Sequence, residues 1–437
     1  MAPVILTEQN CWTTRLKKWI SQVNPILAKS DRPKNATNVS SSGLHHALSL
    51  KDYTLSFYDS MKEVPNDWDQ IAPADNLFLQ RTYLQLLEDH PPTEMRFCYF
   101  LFYRNRQVVG LAIGQIQYFK ADRSLSKEHQ KTPGYFNTFA RYLKEMVASR
   151  VEFITLVCGN LLLTGEHGFH FSQGIDPEKR MELLQGGLKF AQKALDKQGI
   201  CISATLTKDI YEPNRSMVRK LLDYSFREFT VQPSMILDNR WNSFEEYCQS
   251  LQSKYRVRMK RAFKKAKDIT KRNLSLEEIE AHLPRLYELY EGIAANSGFN
   301  LINLNQDYLL ALKQHFPERF QLQAYFLEDE LIAYYTSIHN GTEMEAHFLG
   351  YDHAYNHSHQ VYLNILFDLT KLGIELGVER LVFARTALEI KSSIGAKPHE
   401  MYCYFRHRST FSNNFVRPIL DYLRPQVEWK ERHPFKD

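Results

Sequence analysis

The chain repeats itself, and the repeat limits what it can fold into. Tyr83 opens the stretch YLQLLEDHPP, and 225 positions later Tyr308 opens YLLALKQHFP. Each reads as an apolar-periodic helix closed by His and Pro. Next come MRFCYFLFYRNRQVVGLAIGQI in the first half and FQLQAYFLEDELIAYYTSIHN in the second. Both are a β-rich run, a polar turn and a second β-rich run, the pattern of a hairpin. Further on, LLQGGLKFAQKALDKQGICISATL matches ILFDLTKLGIELGVERLVFART: a helix, a glycine near its end, then a buried strand. Each half closes on a third helix and a last strand, in NRSMVRKLLDYSFREFTVQPSMIL and ALEIKSSIGAKPHEMYCYFRHR. The order predicts two tandem copies of one mixed α/β unit, over residues 51–235 and 243–410, each a partly antiparallel sheet flanked by helices. A length of 437 residues suits two domains, because single cores stop growing near roughly 250–300 residues.

The boundary falls where TVQPSMIL gives way to DNRWNSFEEY, giving a first domain over 51–238 and a second over 239–437. Residues 1–50 read as an N-terminal extension, with a short amphipathic helix and then a polar link, AKSDRPKNATNVSSSGLHH. Ordered structure is expected from about Lys51.

A hydrophobic fraction of 43% is ordinary for a folded protein. The six cysteines form no CxxC pair and read as reduced thiols of a cytosolic protein. The start, MAPVILTEQNCWTTRLKKW, has no signal-peptide core, and no apolar run approaches the roughly 20 residues that span a bilayer. A cytoplasmic location is therefore expected, and the glycosylation patterns at Asn35 and Asn38 carry no weight. A net charge of +5 is mild, so basic character is local.

It is concentrated in SKYRVRMKRAFKKAK, residues 253–267. On a helix, Leu251, Tyr255, Met259, Phe263, Ala266 and Ile269 line up as one apolar stripe. Lys254, Arg256, Arg258, Lys260, Arg261, Lys264, Lys265 and Lys267 fill most of the remainder. Such a helix anchors by one face and presents cations on the others. Arg256, Lys260 and Lys264 are the candidates to receive phosphates; the alternative is a solvated helix kept for solubility. DNA is not an expected partner, because no helix-turn-helix, zinc finger or Gly-rich nucleotide loop accompanies the helix.

The order of elements resembles the GNAT acyltransferase fold. Two such units in tandem resemble the FemA/FemB-like aminoacyl transferases of peptidoglycan biosynthesis and their BioF2-like relatives. LQSKYRVRMKRAFKKA is similar to the basic helix that opens the second domain of that family, and the block from HFLGYD to SSIGAK is similar to its terminal strand–helix–strand–helix unit. The weaker match in the first half is LVCGNLLLTGEHGF. The resemblance implies transfer of an acyl or aminoacyl group from a phosphate-bearing donor, acyl-CoA or aminoacyl-tRNA, to an amine. A cell-wall precursor is among the acceptors it implies. No cofactor beyond the co-substrate and no metal are called for; contact with tRNA or with a membrane surface is compatible with the basic helix. The sequence departs from acetyl-CoA-binding members at the pyrophosphate turn, where DHAYNHSHQVY has no glycine to let backbone N–H groups approach the phosphates.

In the GNAT fold a backbone N–H of the long fourth strand hydrogen-bonds the acyl oxygen. The resemblance makes EMEAHFLGYD that strand. Alternation places Glu343, Glu345 and His347 on one face and Met344, Ala346 and Phe348 on the other. Glu345 or His347 is the expected base, opening into the largest cleft within reach of Arg385; the alternative is a solvated face or a core histidine. Arg385 ends the strand LVFART, where open α/β sheets collect ligands, with Lys391 on the next helix as a second substrate contact. A surface Arg385 paired to Glu379 or Glu389 is the alternative. Tyr351, Asp352, His357 and Ser358 read as a hydrogen-bonding wall of the cleft. His353, His357 and His359 lack an acidic or Cys partner at ligand spacing, which argues against a metal. Two rival functions stay open: a non-catalytic protein holding RNA or an anionic membrane through the basic helix, and a plain acetyl-CoA N-acetyltransferase with an altered pyrophosphate loop.

Overall fold

The structure is a computed structural model that describes residues 46–50, 52–92, 95–120, 152–296, 302–414, 416 and 429–436. Most of the N-terminal extension, with Asn35, Asn38 and Cys11, lies outside the described residues; strand β1 begins at His46. The strands of the first half are β1 (His46–Leu50), β2 (Tyr53–Tyr58), β3 (Met95–Arg104), β4 (Gln107–Lys120), β5 (Glu152–Cys158), β6 (Phe169–Phe171), β7 (Ile202–Tyr211), β8 (Arg227–Thr230) and β9 (Ser234–Asp238). Those of the second are β10 (Ile269–Asn273), β11 (Phe320–Leu327), β12 (Glu330–Asn340), β13 (Glu343–Tyr351), β14 (Arg380–Val382), β15 (Lys397–His399) and β16 (Met401–His407). The helices used below are α1 (Arg81–Asp89), α2 (Pro177–Lys197), α3 (Ser253–Lys265), α4 (Leu276–Asn296), α5 (Tyr308–His315), α6 (His353–His359), α7 (Val361–Glu375) and α8 (Leu388–Ser392).

The first sheet runs β1-β2-β3-β4-β5-β7-β16-β8, with β6 beside β4, and the second runs β10-β11-β12-β13-β14-β9-β15. From β2 and β10 onward the two orders correspond strand for strand. All shared pairings are antiparallel except β5 with β7 and β13 with β14, which are parallel. The repeat is thus a repeat of architecture: mixed sheets of one order, flanked by helices. The β3–β4 hairpin turns at Asn105 and Arg106, both at positive φ, as a two-residue turn between right-twisted strands requires.

One feature cuts across the boundary drawn at residue 238. The sequence reading gives each half its own closing strand, and the structure exchanges them. β9 leaves the first half to lie between β14 and β15, and β16 leaves the second to lie between β7 and β8. An alternating strand pattern specifies which face is buried, not which sheet the strand joins, so the exchange has no local signal.

Burial follows the same division. One core lies on the first sheet under α2 and takes in Tyr402 and Tyr404 from β16. A second lies on the second sheet under α7 and takes in Met235 and Leu237 from β9. The third belongs to both halves: Tyr83, Leu84 and Leu87 of α1 pack with Tyr308, Leu309 and Leu312 of α5.

Candidate active site

β13 and β14 stay together only briefly. Glu343, Met344 and Glu345 pair with Arg380, Leu381 and Val382, and there β14 ends while β13 continues. On its other side β13 carries a bulge: Ser337 pairs with Ala346 but Tyr335 with Leu349, so Thr336 alone faces His347 and Phe348. The Thr336 hydroxyl accepts from the Phe348 N–H at 2.8 Å and donates to the Phe348 carbonyl at 3.0 Å. The bulge overrides the alternation read from sequence. His347 and Phe348, expected on opposite faces, both reach Tyr308, with ring centres 5.6 and 6.4 Å away.

Glu345, at the last paired position, is 3% exposed. Burial, and then the neighbouring Glu343, push its carboxyl well above the usual carboxylate range. Arg380 works in the other direction but makes its ion pair with Glu343. Burial pulls the His347 imidazole down to about 3, so the ring is neutral at physiological pH. Its Nε2 lies 3.2 Å from the Tyr308 hydroxyl. Of the two candidate bases, Glu345 has the greater proton affinity. Glu345 and Glu343 face the first half: Glu345 acts electrostatically on Tyr83 and Tyr211, and Glu343 on Glu166.

Beyond β14 the backbone turns sharply. Ala384, Thr386 and Ala387 have φ of 55°, 67° and 47°, a region that costs a side-chain-bearing residue about 1–2 kcal/mol each. Arg385 sits inside this turn. Lys391, expected as a substrate contact, is buried, and its ammonium donates to the carbonyls of Phe383 (2.5 Å), Ala384 (3.4 Å) and Arg385 (2.6 Å). It staples the strained turn, and in this position holds backbone rather than ligand. Burial lowers it to about 7.

Arg385 pairs with neither Glu379 nor Glu389. Its guanidinium makes an ion pair with Asp209 of β7, a fully buried carboxylate of the first half. The other Asp209 oxygen takes the ammonium of Lys208. Lys208 also donates to the carbonyls of Asn160 (2.9 Å) and Leu163 (2.8 Å), on the loop that follows β5. The first sheet parts after the pair Cys158–Thr207 as the second does after Glu345–Val382. In the first half, Lys208 reaches across the parting and bridges it.

The basic helix α3 docks by the middle of its predicted stripe: Tyr255, Met259 and also Ala262 are buried in the second core and Phe263 packs against it. The helix is shorter than the stripe, for Leu251 precedes it, Ala266 is its C-cap and Ile269 opens β10, although these three are buried in the same core. Lys260 and Lys264 are exposed and Arg256 is half-buried. The helix lies against α6 and the start of α7: Lys265 Nζ donates to the His357 carbonyl at 3.3 Å, and Asn364 Nδ2 to the Ala262 carbonyl at 3.1 Å. The loop residues are spread out. Asp352 caps α6, accepting from the Ala354 N–H at 2.8 Å, and pairs with Arg285 at 3.4 Å. Tyr351 packs on His353 and Tyr362. His357 and Ser358 are exposed on α6, the Ser358 hydroxyl donating to the Tyr355 carbonyl at 3.1 Å. Glu345 and the Arg385 turn thus each meet the first half, at Tyr83 and Tyr211 and at Asp209, and His347 adjoins Tyr308, while α3 meets α6 through Lys265, with Arg256 and Lys260 toward Cys248. Sequence reasoning missed Lys208, Asp209 and Tyr211, which carry no motif, and gave no role to Asn160, although it lies in the matched stretch LVCGNLLLTGEHGF. It used Tyr83 and Tyr308 only as markers of the repeat. Among the described residues no group of three His, Cys, Asp or Glu could hold a metal ion, and no helix is long and apolar enough to cross a membrane.

Residues 253–392 match the acetyltransferase (GNAT) domain. No curated protein matches the sequence. Among solved structures, a tandem GNAT protein from the clavulanic acid biosynthesis pathway is similar with a TM-score of 0.48 at 8% identity, over 84% of this chain and 99% of that one. FemX is similar with a TM-score of 0.44 at 11% identity, over 77% and 96%. L-PGS from Bacillus licheniformis is similar with a TM-score of 0.41 at 14% identity, over 77% and 93%. Strands β10–β14 of the second sheet lie within the residues that match a GNAT acetyltransferase domain, and the first sheet repeats their order, so the fold is that of two tandem GNAT-like units.

Proposed function

We propose that the protein is an acyltransferase that moves an acyl or aminoacyl group from a phosphate-bearing donor to an amine, with the chemistry in its second half. The observation that carries this reading is the parting of β13 from β14 inside residues that match a GNAT domain, with Glu345 at the last paired position and, among the described residues, no side chain bridging it as Lys208 does in the first half. Direct transfer to an amine asks for a positioned donor, a hydrogen bond on the acyl oxygen and a base. Glu345 is the base: its raised proton affinity suits removal of a proton from the attacking amine. Glu166 and Glu343 add carboxyl groups nearby and favour an amine acceptor. The first half is the supporting copy, its parting closed by Lys208.

The donor's phosphates lie along α3, whose exposed cations border the start of α7, where a GNAT domain receives them. The donor is acyl-CoA or aminoacyl-tRNA. A cell-wall precursor is the acceptor class that the FemA/FemB-like resemblance suggests.

The test is binding of acyl-CoAs and charged tRNA to the wild type and to the triple variant R256Q/K260Q/K264Q over a range of salt. The variant should bind the donor more weakly and flatten the salt dependence, by about 0.7 in log–log slope per lost contact to single-stranded nucleic acid. Its fold should hold, because Tyr255 and Met259 each contribute about 1.5–3 kcal/mol of burial, while the charges of the exposed Lys260 and Lys264 and the half-buried Arg256 contribute little. Normal donor binding by the variant at every salt concentration would remove α3 from the donor site. Binding of RNA or anionic vesicles, with no acyl transfer from any donor, would favour the non-catalytic reading.

A further inference from the structure

We infer that the first half of the protein fixes the tautomer of His347, making this ring a hydrogen-bond donor through Nδ1, with Asn160, Tyr83 and Tyr308 as positioning residues. The use of that donor, on the acyl oxygen, rests on the acyltransferase reading; the tautomer itself does not.

The geometry is a buried line across the two halves. Asn160 stands two residues beyond the last parallel pair of the first sheet, and His347 two beyond that of the second. Between them lie Tyr83, in the first turn of α1, and Tyr308, which opens the matching helix α5. Asn160 Nδ2 is 3.3 Å from the Tyr83 hydroxyl, the two hydroxyls are 3.2 Å apart, and the Tyr308 hydroxyl is 3.2 Å from His347 Nε2. Asn160, Tyr83 and Tyr308 are all at most 1% exposed, so solvent does not compete for the bonds among them, and the bond to His347 is half-buried.

Backbone groups give the line a direction. Leu162 donates its N–H to Asn160 Oδ1 at 3.0 Å. Leu161 donates its N–H to Gln115 Oε1 at 2.7 Å, which turns the Gln115 amide nitrogen onto the same Asn160 oxygen at 3.4 Å. A backbone N–H can only donate, so the Asn160 oxygen faces these groups and its NH₂ faces Tyr83. An amide NH₂ can only donate, so the Tyr83 oxygen accepts and its own proton goes to Tyr308. Tyr308 then accepts from Tyr83 and donates to His347 Nε2. A neutral ring whose Nε2 accepts carries its proton on Nδ1. The reverse direction would turn the Asn160 NH₂ onto the Leu162 N–H, donor against donor.

His347 Nδ1 is buried and has no hydrogen-bond partner among the described residues. A fixed N–H without a protein partner, at the bulge of the parted strand, is placed to hydrogen-bond an acceptor oxygen of the ligand. His347 is then an electrophilic donor, and the role of base falls to Glu345.

The test is a long-range ¹H–¹⁵N correlation spectrum of the full chain labelled with ¹⁵N-histidine, with His347 assigned by its loss in H347Q. This spectrum distinguishes the two neutral tautomers. The wild type should show the proton on Nδ1. In N160D both side-chain oxygens accept, so Tyr83 turns to Asp, Tyr308 turns to Tyr83, and His347 must donate from Nε2; the tautomer should reverse. In Y83F, which removes a single oxygen, the wild-type preference should be lost, and this variant decides the matter if N160D does not fold. A wild-type proton on Nε2, or the wild-type tautomer retained in the folded variants, overturns the inference. Neither outcome requires the substrate, so the tautomer can fail while the acyltransferase reading stands, and the reverse.

Discussion

Glu345→Gln should stabilise the protein as pH rises while slowing the reaction. The glutamate carboxyl titrates near 4.3 in an unfolded chain. In the folded protein burial and Glu343 hold it well above that value, and Arg380 is engaged by Glu343. Between the unfolded and folded pKa values the fold keeps a proton that the unfolded chain has released. The unfolded state then binds fewer protons, so wild-type stability falls with rising pH across that window, by up to about 1.4 kcal/mol per pH unit. Glutamine has nearly the same shape and does not titrate. The unfolding free energy of E345Q minus that of the wild type should be level near pH 4 and climb from about pH 5 upward.

Urea denaturation from pH 4.5 to 8, followed by fluorescence of the buried Trp68 and Trp241, measures this difference. The slope matters more than the offset, since a pH-independent term from the new amide cancels in it. A difference that stays level from pH 4.5 to 8 would mean that the carboxyl ionises in the fold as it does in the unfolded chain, and the argument from burial would be refuted. Once the substrate is in hand, the same variant should lose about 10²–10⁴ in rate if Glu345 is the base. Gain of stability with loss of rate is the signature of a strained catalytic group.

Two further outcomes follow from the links between the halves. Asp209 has a φ of 60°, a conformation that asparagine also tolerates, so D209N removes the charge facing Arg385 and Lys208 without straining the backbone. It should cost about 3–5 kcal/mol in urea denaturation, and an unchanged midpoint would show that the buried network adds nothing. A fragment of residues 239–437 lacks β9, so β14 and β15 lose the strand between them and β16 loses its sheet. It should aggregate alone and become soluble when co-expressed with residues 1–238; a folded, monomeric fragment would contradict the exchange.

Periodic features were legible in the sequence. The hairpins β3–β4 and β11–β12, the helices α1 and α5, and the apolar stripe of α3 each announce themselves by spacing, because burial of one face imposes a period. Features set by partners far along the chain were not. Asp209 in KDIY looks like any polar residue at the end of a strand, and its link to Arg385 exists only because the halves dock. The bulge at Thr336 moves Phe348 to the side of His347 without any glycine or proline to mark it. Lys391 read as a ligand contact because lysines seldom lie buried, yet here the strained turn supplies three carbonyls that satisfy its ammonium.

The duplication accounts for the division of labour. One residue past the last parallel pair, the first half has Lys208 and the second has Phe383. Lysine is long and carries donors, so it reaches back to the carbonyls of the facing loop and seals the parting. Phenylalanine has no donor and is buried in the second core, so it does not bridge to the facing segment of β13 as Lys208 bridges its parting. Two residues past the pair the contrast is of another kind. Asn160 is oriented by backbone N–H groups and offers a dipole of fixed direction, whereas His347 has two ring nitrogens and takes whichever tautomer its neighbour imposes. The same two positions thus bridge and polarise one copy while leaving the other without that bridge and with a ring that can take either tautomer. The exchanged strands keep the two copies in one body, so that a hydrogen-bonded line from Asn160 can end on His347.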